Sequence, residues 1–401
     1  MPEQDISIAD RVRDIRQLRG LTQEELAEKA GVSLSTVAKI ERGGTARMES
    51  YHAIARALGV ITLAFATPET PAPAPARHQD GALAEIRAAI SPPVGLTGSM
   101  LEIGADTPDL EGLRDASRRL AHAYDRTKYD QVARLAPAIV RSAHFHVREL
   151  DGRDREEAQR LRSRTLNTAG RYLIQVREHD LALMALRDAL SDALAVGDSL
   201  LAASAVSSQA WALIRQARFT EVERLCVAAA DQVEPKVSKA APAELSSWGW
   251  LLLRASAAAA RNNRPEEARD LMRTAMVAAE AIGHEDTEHS FGPVTVKAKD
   301  AENAVISGRP ERALEISAGM DVEVASHIEW CRHGVDKAKA HVMLGKAQEA
   351  TDMLAEIRGR APEWLRHQES AREVTADLIE LATRRPSRQQ IELASFLGVP
   401  A

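Results

Sequence analysis

Residues 22–43 carry the pattern of two short helices joined by a sharp turn, and this segment constrains the fold more than any other. Thr22 and Glu25 form a capping box, which predicts that a helix begins there. Gly31 can take the positive φ that ends a helix and turns the chain. Ser33 is a preferred N-cap residue, so a second helix is predicted to begin directly after it.

The second predicted helix has one apolar face and one face of small and polar groups. Val37 and Ile40 have the helical spacing of buried residues. The outward face consists of Leu34, Ser35, Ala38, Lys39 and Arg42. A short helix of this kind after a tight turn has the geometry that fits the major groove of DNA.

Amphipathic helices are also predicted over residues 8–19 and 48–58, and a short apolar piece follows to Phe65. Together these stretches resemble the DNA-binding domain of the Cro and lambda-repressor type (Xre family). The matching segments are Ile15-Arg16, Leu21-Thr22-Gln23-Glu24-Glu25-Leu26-Ala27, Gly31-Val32-Ser33, Thr36-Val37 and Ile40-Glu41-Arg42-Gly43. The resemblance implies a five-helix DNA-binding domain over residues 1–66. The alternative is an unrelated small helical bundle.

The same resemblance implies which residues touch DNA. They are Gln23, Ser33, Leu34, Ser35, Thr36, Lys39 and Arg42. Gln23 and Arg42 are expected to hold phosphates, whereas Leu34, Ser35 and Lys39 face base edges. Leu34 suits a thymine methyl group, and Lys39 can donate to guanine O6 or N7. Ser33 and Thr36 are expected to serve as phosphate or capping groups.

The composition indicates an all-α protein of two or three domains. The chain has 401 residues, with 45% hydrophobic but only 3% aromatic residues, which is typical of packed Ala- and Leu-rich helices. Cys226 and Cys331 form neither a disulfide framework nor a metal-ligand spacing. Residues 1–7 do not look like a signal peptide, and the apolar run 248–260 is too short to cross a bilayer. A cytoplasmic location is therefore predicted.

The charge distribution predicts that one copy binds DNA weakly. The net charge is −6, and residues 1–65 contain nine Lys or Arg residues and nine Asp or Glu residues. A neutral DNA-binding domain releases few counterions, so specific binding is expected to need two domains held together. The sequence therefore predicts a homodimer on an inverted-repeat operator. The acidic remainder is expected to stay away from DNA.

A proline-rich linker is predicted over residues 67–81. Residues 67–76 alternate Pro with other residues and favour a semi-rigid polyproline II spacer, although a flexible tether is the alternative. From residue 82 to 401 the chain reads as helix after helix, beginning with a short helix over 82–90. Residues 362–399 are predicted to form two closing helices that cap the array.

Six turns in this region share one pattern, in which a polar N-cap opens a helix that has a small residue near its start. These segments start at Lys128, His179, Phe219, Arg264, Arg309 and Lys346. The pattern resembles tetratricopeptide (TPR) repeats in drifted form, which implies an α-solenoid. An irregular helical array without a groove is the alternative.

The resemblance to TPR repeats implies an effector groove lined by the first helix of each repeat. Its concave positions fall on Asn167, Arg171, Gln175, Ser204, Ser207, Trp211, Arg215, Trp250, Arg261, Thr295, Glu302, Arg332 and Lys339. Arg171, Arg215 and Arg261 on one surface suggest a ligand with a carboxylate. In the alternative interpretation Trp211 and Trp250 are core residues and the arginines are solvated.

The sequence offers no residues for catalysis. His284 and His289 are five residues apart, so they do not share one helix face as a metalloprotease pair does. No phosphate loop or nucleophile elbow is present in the sequence, so an enzyme, a metal and a cofactor are not expected.

The architecture is similar to large regulators of actinobacteria, in part through residues 291–296, and more loosely to peptide-responsive regulators of Gram-positive bacteria. Two hypotheses follow. The helical repeats bind a small molecule or short peptide that controls DNA binding, or they bind another protein constitutively. The operator, the effector and the direction of regulation are not encoded in any motif.

Overall fold

The computed structural model describes residues 8–46, 48–58, 79–93, 95–96, 107–284, 290–321, 326–382 and 385–400. Within these residues the chain forms twenty helices and no β-strand, as the sequence predicts. The predicted fifth helix near Phe65 and the proline-alternating stretch 67–76 lie outside the described residues.

The first domain consists of α1 (Ile8–Leu18), α2 (Gln23–Ala30), α3 (Leu34–Glu41) and α4 (Met48–Leu58). These helices bury their apolar faces against one another around Leu26, Val37, Ile40, Ile54 and Leu58. The cluster is separate from the large core of the remaining helices. This domain therefore has a hydrophobic core of its own.

The second region begins with α5 (Gln79–Ile90), three residues earlier than the sequence predicts and within the predicted linker. Six antiparallel helix pairs follow it. They are α6 (Leu110–Asp125) with α7 (Tyr129–Glu149), α8 (Gly152–Gln175) with α9 (His179–Ala195), α10 (Ser199–Arg215) with α11 (Phe219–Val233), α12 (Pro242–Arg261) with α13 (Pro265–Ile282), α14 (Pro293–Ile306) with α15 (Pro310–Ala318), and α16 (His327–Met343) with α17 (Ala347–Arg360).

One backbone motif turns the chain in all six pairs. A single residue in each turn has a positive φ, and these are Thr127, Arg177, Ala217, Asn263, Gly308 and Gly345. The next amide donates to a carbonyl five residues back, as from Lys128 to Ala123 at 2.9 Å. This is the Schellman termination of a helix, for which glycine is the preferred residue. The sequence predicts where these turns lie, but not that four of them place a side chain in the left-handed region.

The helical array closes back on itself. Residues 362–399 form three helices rather than the predicted two, namely α18 (Pro362–Arg366), α19 (Glu369–Leu381) and α20 (Arg388–Leu397). Buried Gln368 donates through Nε2 to Oε1 of Gln175 at 3.1 Å. The amide of Asp130 donates to Glu363 at 3.1 Å, and Arg177 pairs with Glu369. The end of the array thus contacts α7 and α8 and encloses the space that the sequence predicts to be an open groove.

Candidate functional site

The α2–turn–α3 unit forms as the sequence predicts, because each end is stabilised by a local cap. Thr22 Oγ1 accepts from the Glu25 amide at 3.1 Å, and Glu25 accepts from the Thr22 amide at 2.7 Å. Gly31 has a φ of 66° and ends α2. Ser33 Oγ accepts from the Thr36 amide at 3.2 Å and opens α3. The turn between the two helices is therefore fixed by hydrogen bonds on both sides.

Helix α3 presents an exposed face to solvent. Leu34 is 43% exposed, and Ser35, Lys39 and Arg42 are exposed as well. The hydroxyl of Ser33 lies 2.8 Å from that of Thr36, so both are held at the start of the helix. Four of the predicted DNA-contacting residues thus project outward, whereas Ser33 caps α3 and the Thr36 hydroxyl contacts that cap.

Buried Glu41 locks α3 against α1 and α2. Glu41 is 1% exposed, and Arg16 binds it with two hydrogen bonds of 2.6 and 2.9 Å. Gln23, predicted to hold a phosphate, donates through Nε2 to the same carboxylate at 2.8 Å. Burial alone would raise the pKa of Glu41, but the hydrogen bonds from Arg16 and Gln23 outweigh it and hold the pKa below its usual range.

Lys39→Ala is expected to weaken binding to a specific operator by about 1–3 kcal/mol, because one base-edge contact per half-site is lost. Arg42→Ala is expected to weaken specific and random duplexes equally, because a phosphate contact carries no sequence information. Fluorescence anisotropy at one fixed salt concentration measures both variants on both duplexes. An equal loss on the two duplexes for Lys39→Ala would exclude base reading by this lysine.

A cavity of about 950 Å³ lies inside the helical array, within the usual range of ligand-binding sites. Its wall comes from the first helices of consecutive pairs, from α8 to α16, and from α18 and α19. Residues of the DNA-binding domain complete the wall, and these are Ile8 on α1 and Tyr51, His52, Ala55 and Arg56 on α4. One cavity is therefore shared by the two parts of the chain.

The structure brings eight of the thirteen predicted effector residues together in this wall. They are Gln175, Trp211, Arg215, Trp250, Arg261, Glu302, Arg332 and Lys339. Asn167, Arg171, Ser204, Ser207 and Thr295 do not line the cavity. Asn167 instead donates to Ser204 at 2.9 Å, and the Arg171 guanidinium lies 4.4 Å from the centre of the Tyr124 ring. Thr295 is fully buried.

Tryptophan and arginine alternate along one side of the cavity. On α10, Arg215 follows Trp211 by four residues. Arg254 follows Trp250 on α12 by the same distance in sequence. The Arg254 guanidinium carbon lies 5.5 Å from the ring centre of Trp211 and 5.1 Å from that of Trp250. Arg332 also lies over Trp211, at 4.8 Å. These cation–π contacts hold the guanidinium groups in place in a site away from bulk solvent.

The cavity wall carries an excess of positive charge. Ten Lys and Arg side chains line it, against four Asp and Glu side chains. Glu302 pairs with Arg261 at 2.6 Å and with Lys299 at 3.3 Å, which holds the Glu302 pKa well below normal despite its burial. Burial and the nearby Glu302 carboxylate raise the pKa of Asp336, which favours its neutral form.

Sequence reasoning missed several residues of this site, including Arg254, Lys299, Asp336 and the residues of α4. The repeated Trp-x-x-x-Arg spacing in consecutive helices was a signal for Arg254, although the surrounding apolar run hid it. Nothing in the local sequence could place α4 beside the cavity, because that contact joins residues separated by about two hundred and fifty positions.

Neither a metal site nor a membrane span emerges from the residues that the structure describes. No group of three or more His, Cys, Asp or Glu side chains there could hold a metal ion. Among the described helices, none combines the length and the apolar character that a bilayer crossing requires. Most of the segment between His284 and His289 lies outside the described residues.

Comparison with known proteins identifies the first domain. Residues 12–65 match the family HTH_3, described as helix-turn-helix. No curated protein matches this chain. Among solved structures, the crystal structure of Bacillus thuringiensis PlcR in complex with the peptide PapR7 and DNA is similar at 14% identity, over 94% of this chain and 100% of that chain, with a TM-score of 0.31. A TM-score this low supports no argument about the present chain.

The family match covers α2 and α3, the two helices whose caps and exposed face are described above. The chain therefore contains a DNA-binding helix-turn-helix domain, and its C-terminal region is helical.

Proposed function

We propose that this protein is a cytoplasmic, sequence-specific transcription regulator whose TPR-like helical domain binds a small molecule or a short peptide. One observation carries the proposal. The 950 Å³ cavity is lined by the helical domain and, at the same time, by α1 and α4 of the DNA-binding domain. A molecule in this cavity would contact both domains directly.

The contact between the domains is made by α4. Arg56 donates through Nη1 to the backbone carbonyl of Ser307 and packs against Gly308, in the turn between α14 and α15. His52 also lines the cavity, and burial followed by repulsion from Lys339 lowers its pKa to about 4. His52 is therefore neutral at pH 7. The exposed face of α3 belongs to a different surface and stays available for DNA.

Ligand binding would act on DNA affinity through the position of α4. A ligand shifts an equilibrium only when it binds two states unequally. Because α4 forms part of the wall, filling the cavity changes the free energy of the docked position of the DNA-binding domain. In a homodimer, this position sets the separation of the two recognition helices on an inverted-repeat operator. The electrically neutral first domain supports the dimer, since a single copy has little electrostatic affinity for DNA.

Native mass spectrometry of the full chain is expected to detect a retained molecule. Removal and return of that molecule should change operator affinity by about 5- to 150-fold, the usual size of allosteric coupling. Arg215→Ala and Trp250→Ala should each abolish this response, whereas the exposed control Arg312→Ala should keep it. If operator affinity stays constant with and without every retained molecule, the proposal is wrong.

A constitutive protein-binding adaptor is the second candidate function. It would require a continuous apolar surface on the helical domain. The large hydrophobic side chains that are exposed among the described residues are instead spread over α3, α9, α10, α11, α13, α20 and one loop. Their scatter favours the ligand-responsive function.

A further inference from the structure

Arg215 on α10 and Arg254 on α12 both line the cavity and have no acidic partner within the described residues. The other cations near them are paired, as Arg332 is with Glu329 and Lys299 is with Glu329 at 2.9 Å. Arg215 and Arg254 make no ion pair and donate no hydrogen bond in the described part of the chain, and Nε of Arg254 is buried. Arg215 is exposed to the cavity, whereas the buried Nε of Arg254 has no hydrogen-bond partner. A charged donor of this kind is costly to leave unused, which indicates that an anion completes the site.

The electrostatic surroundings of these two arginines agree with this. Desolvation in the cavity wall, together with repulsion from Arg261 and Arg332, lowers the pKa of Arg215 to about 10. Burial and then repulsion from Arg332 likewise lower the pKa of Arg254 to about 10. Both groups remain charged at pH 7, and the carboxylates of Glu302, Glu329 and Glu373 offset part of their charge without forming an ion pair with either guanidinium. A bound anion would relieve the repulsion among the guanidinium groups of Arg215, Arg254, Arg261 and Arg332.

The neighbouring surface is flat and apolar. The indoles of Trp211 and Trp250 flank Arg254, and Leu253 and Phe219 also line the cavity. A guanidinium stacked on a ring keeps its N–H donors at its edge, where they can bind both oxygens of one carboxylate. The site therefore offers charge-assisted donors directly beside aromatic surface.

We propose that the cavity binds a carboxylate joined to a flat apolar group, with the carboxylate held by Arg215 and Arg254 and the flat group beside Trp211 and Trp250. A small aromatic acid and the C-terminal residue of a short peptide both present this chemistry. The inference rests on the proposed ligand-responsive function and specifies the chemical class of its ligand.

Isothermal titration calorimetry on the full chain tests the proposal with two matched pairs of probes. The first pair is 2-naphthoate and neutral 2-naphthamide. The second is the peptide Ala-Ala-Phe with a free or an amidated C-terminus. In at least one pair, the acid is expected to bind about tenfold or more tightly than the amide, since charge-assisted hydrogen bonds are lost in the amide. The pair that shows the preference identifies the source of the carboxylate.

Arg215→Gln and Arg254→Gln are each expected to abolish the preference for the acid and to leave amide binding unchanged. Arg312→Gln is the matched control, because Arg312 pairs with Glu315 on an exposed helix outside the cavity and should keep the preference. If Arg254→Gln fails to fold, Arg215→Gln alone decides, since Arg215 is exposed to the cavity and packs less tightly.

Equal binding of acid and amide in both pairs, or an unchanged preference in the folded arginine variants, would overturn the carboxylate assignment. The proposed function would survive that result if a retained molecule of other chemistry still changed operator affinity. Conversely, acid-selective binding without any effect on operator affinity would support the site and contradict the proposed function.

Discussion

A fragment of residues 1–66 is expected to bind an inverted-repeat operator about 10²- to 10⁴-fold more weakly than the full chain. Binding of the first domain of a dimer makes the second event intramolecular, and this gain is typical of two linked sites. The fragment should fold, because Leu26, Val37, Ile40, Ile54 and Leu58 form a core separate from the helical region. Anisotropy titrations at one salt concentration compare the two proteins.

A duplex with a single half-site provides the control for this experiment. On that duplex the fragment and the full chain should bind alike, because only one domain of a dimer can engage it. Sedimentation should show a monomeric fragment and a dimeric full chain. Equal affinity of the two proteins for the complete operator would contradict the proposal that the helical region supplies the dimer contact.

Arg16→Ala is expected to destabilise the DNA-binding domain by about 3–5 kcal/mol, because it leaves the buried Glu41 carboxylate with only the longer ionic contact to Arg13 at 3.9 Å. Such a loss is a large part of the stability of a small domain. Urea denaturation of the 1–66 fragment, followed by circular dichroism, measures the free energy of unfolding. Lys29→Ala is the matched control, since Lys29 is exposed on α2 and should change the stability by less than about 0.5 kcal/mol.

The same ion pair predicts how stability depends on pH. The pKa of Glu41 is lowered in the folded domain, so the pair contributes its full stability above the unfolded pKa of glutamate. That contribution is lost as the pH falls through the lowered folded pKa. Glu41→Gln should flatten this part of the stability profile. If the free energy of unfolding falls as steeply at low pH in Glu41→Gln as in the wild-type domain, another carboxyl group causes the loss of stability.

The sequence by itself determined the local elements of this protein. Helix ends are determined by residues close to them in the sequence. Thr22, Ser33 and Gly31 each form hydrogen bonds with a residue three or four positions away in the helix that they cap. The helical period likewise identified Val37 and Ile40 as buried. For these reasons the helix-turn-helix, the all-helical composition and the places of the six turns were predictable.

The TPR-like spacing also identified much of the cavity wall, since Trp211, Arg215 and Trp250 lie on the inner face of consecutive first helices. It failed for Asn167 and Thr295, because the cavity reaches only the later turns of α8 and α14. Counting positions along the chain cannot show which turns of a helix a cavity reaches, since that depends on how each helix packs against its neighbours.

Only the tertiary structure decided the features that join distant parts of the chain. Three contacts join residues that are far apart in the sequence. Arg16 pairs with Glu41, Gln368 donates to Gln175, and Arg56 donates to the Ser307 carbonyl. Small rotations between successive helix pairs add up over the array, and their sum decides whether its ends meet. No local pattern encodes that sum, so the groove predicted from the sequence is a partly enclosed cavity that includes part of the DNA-binding domain.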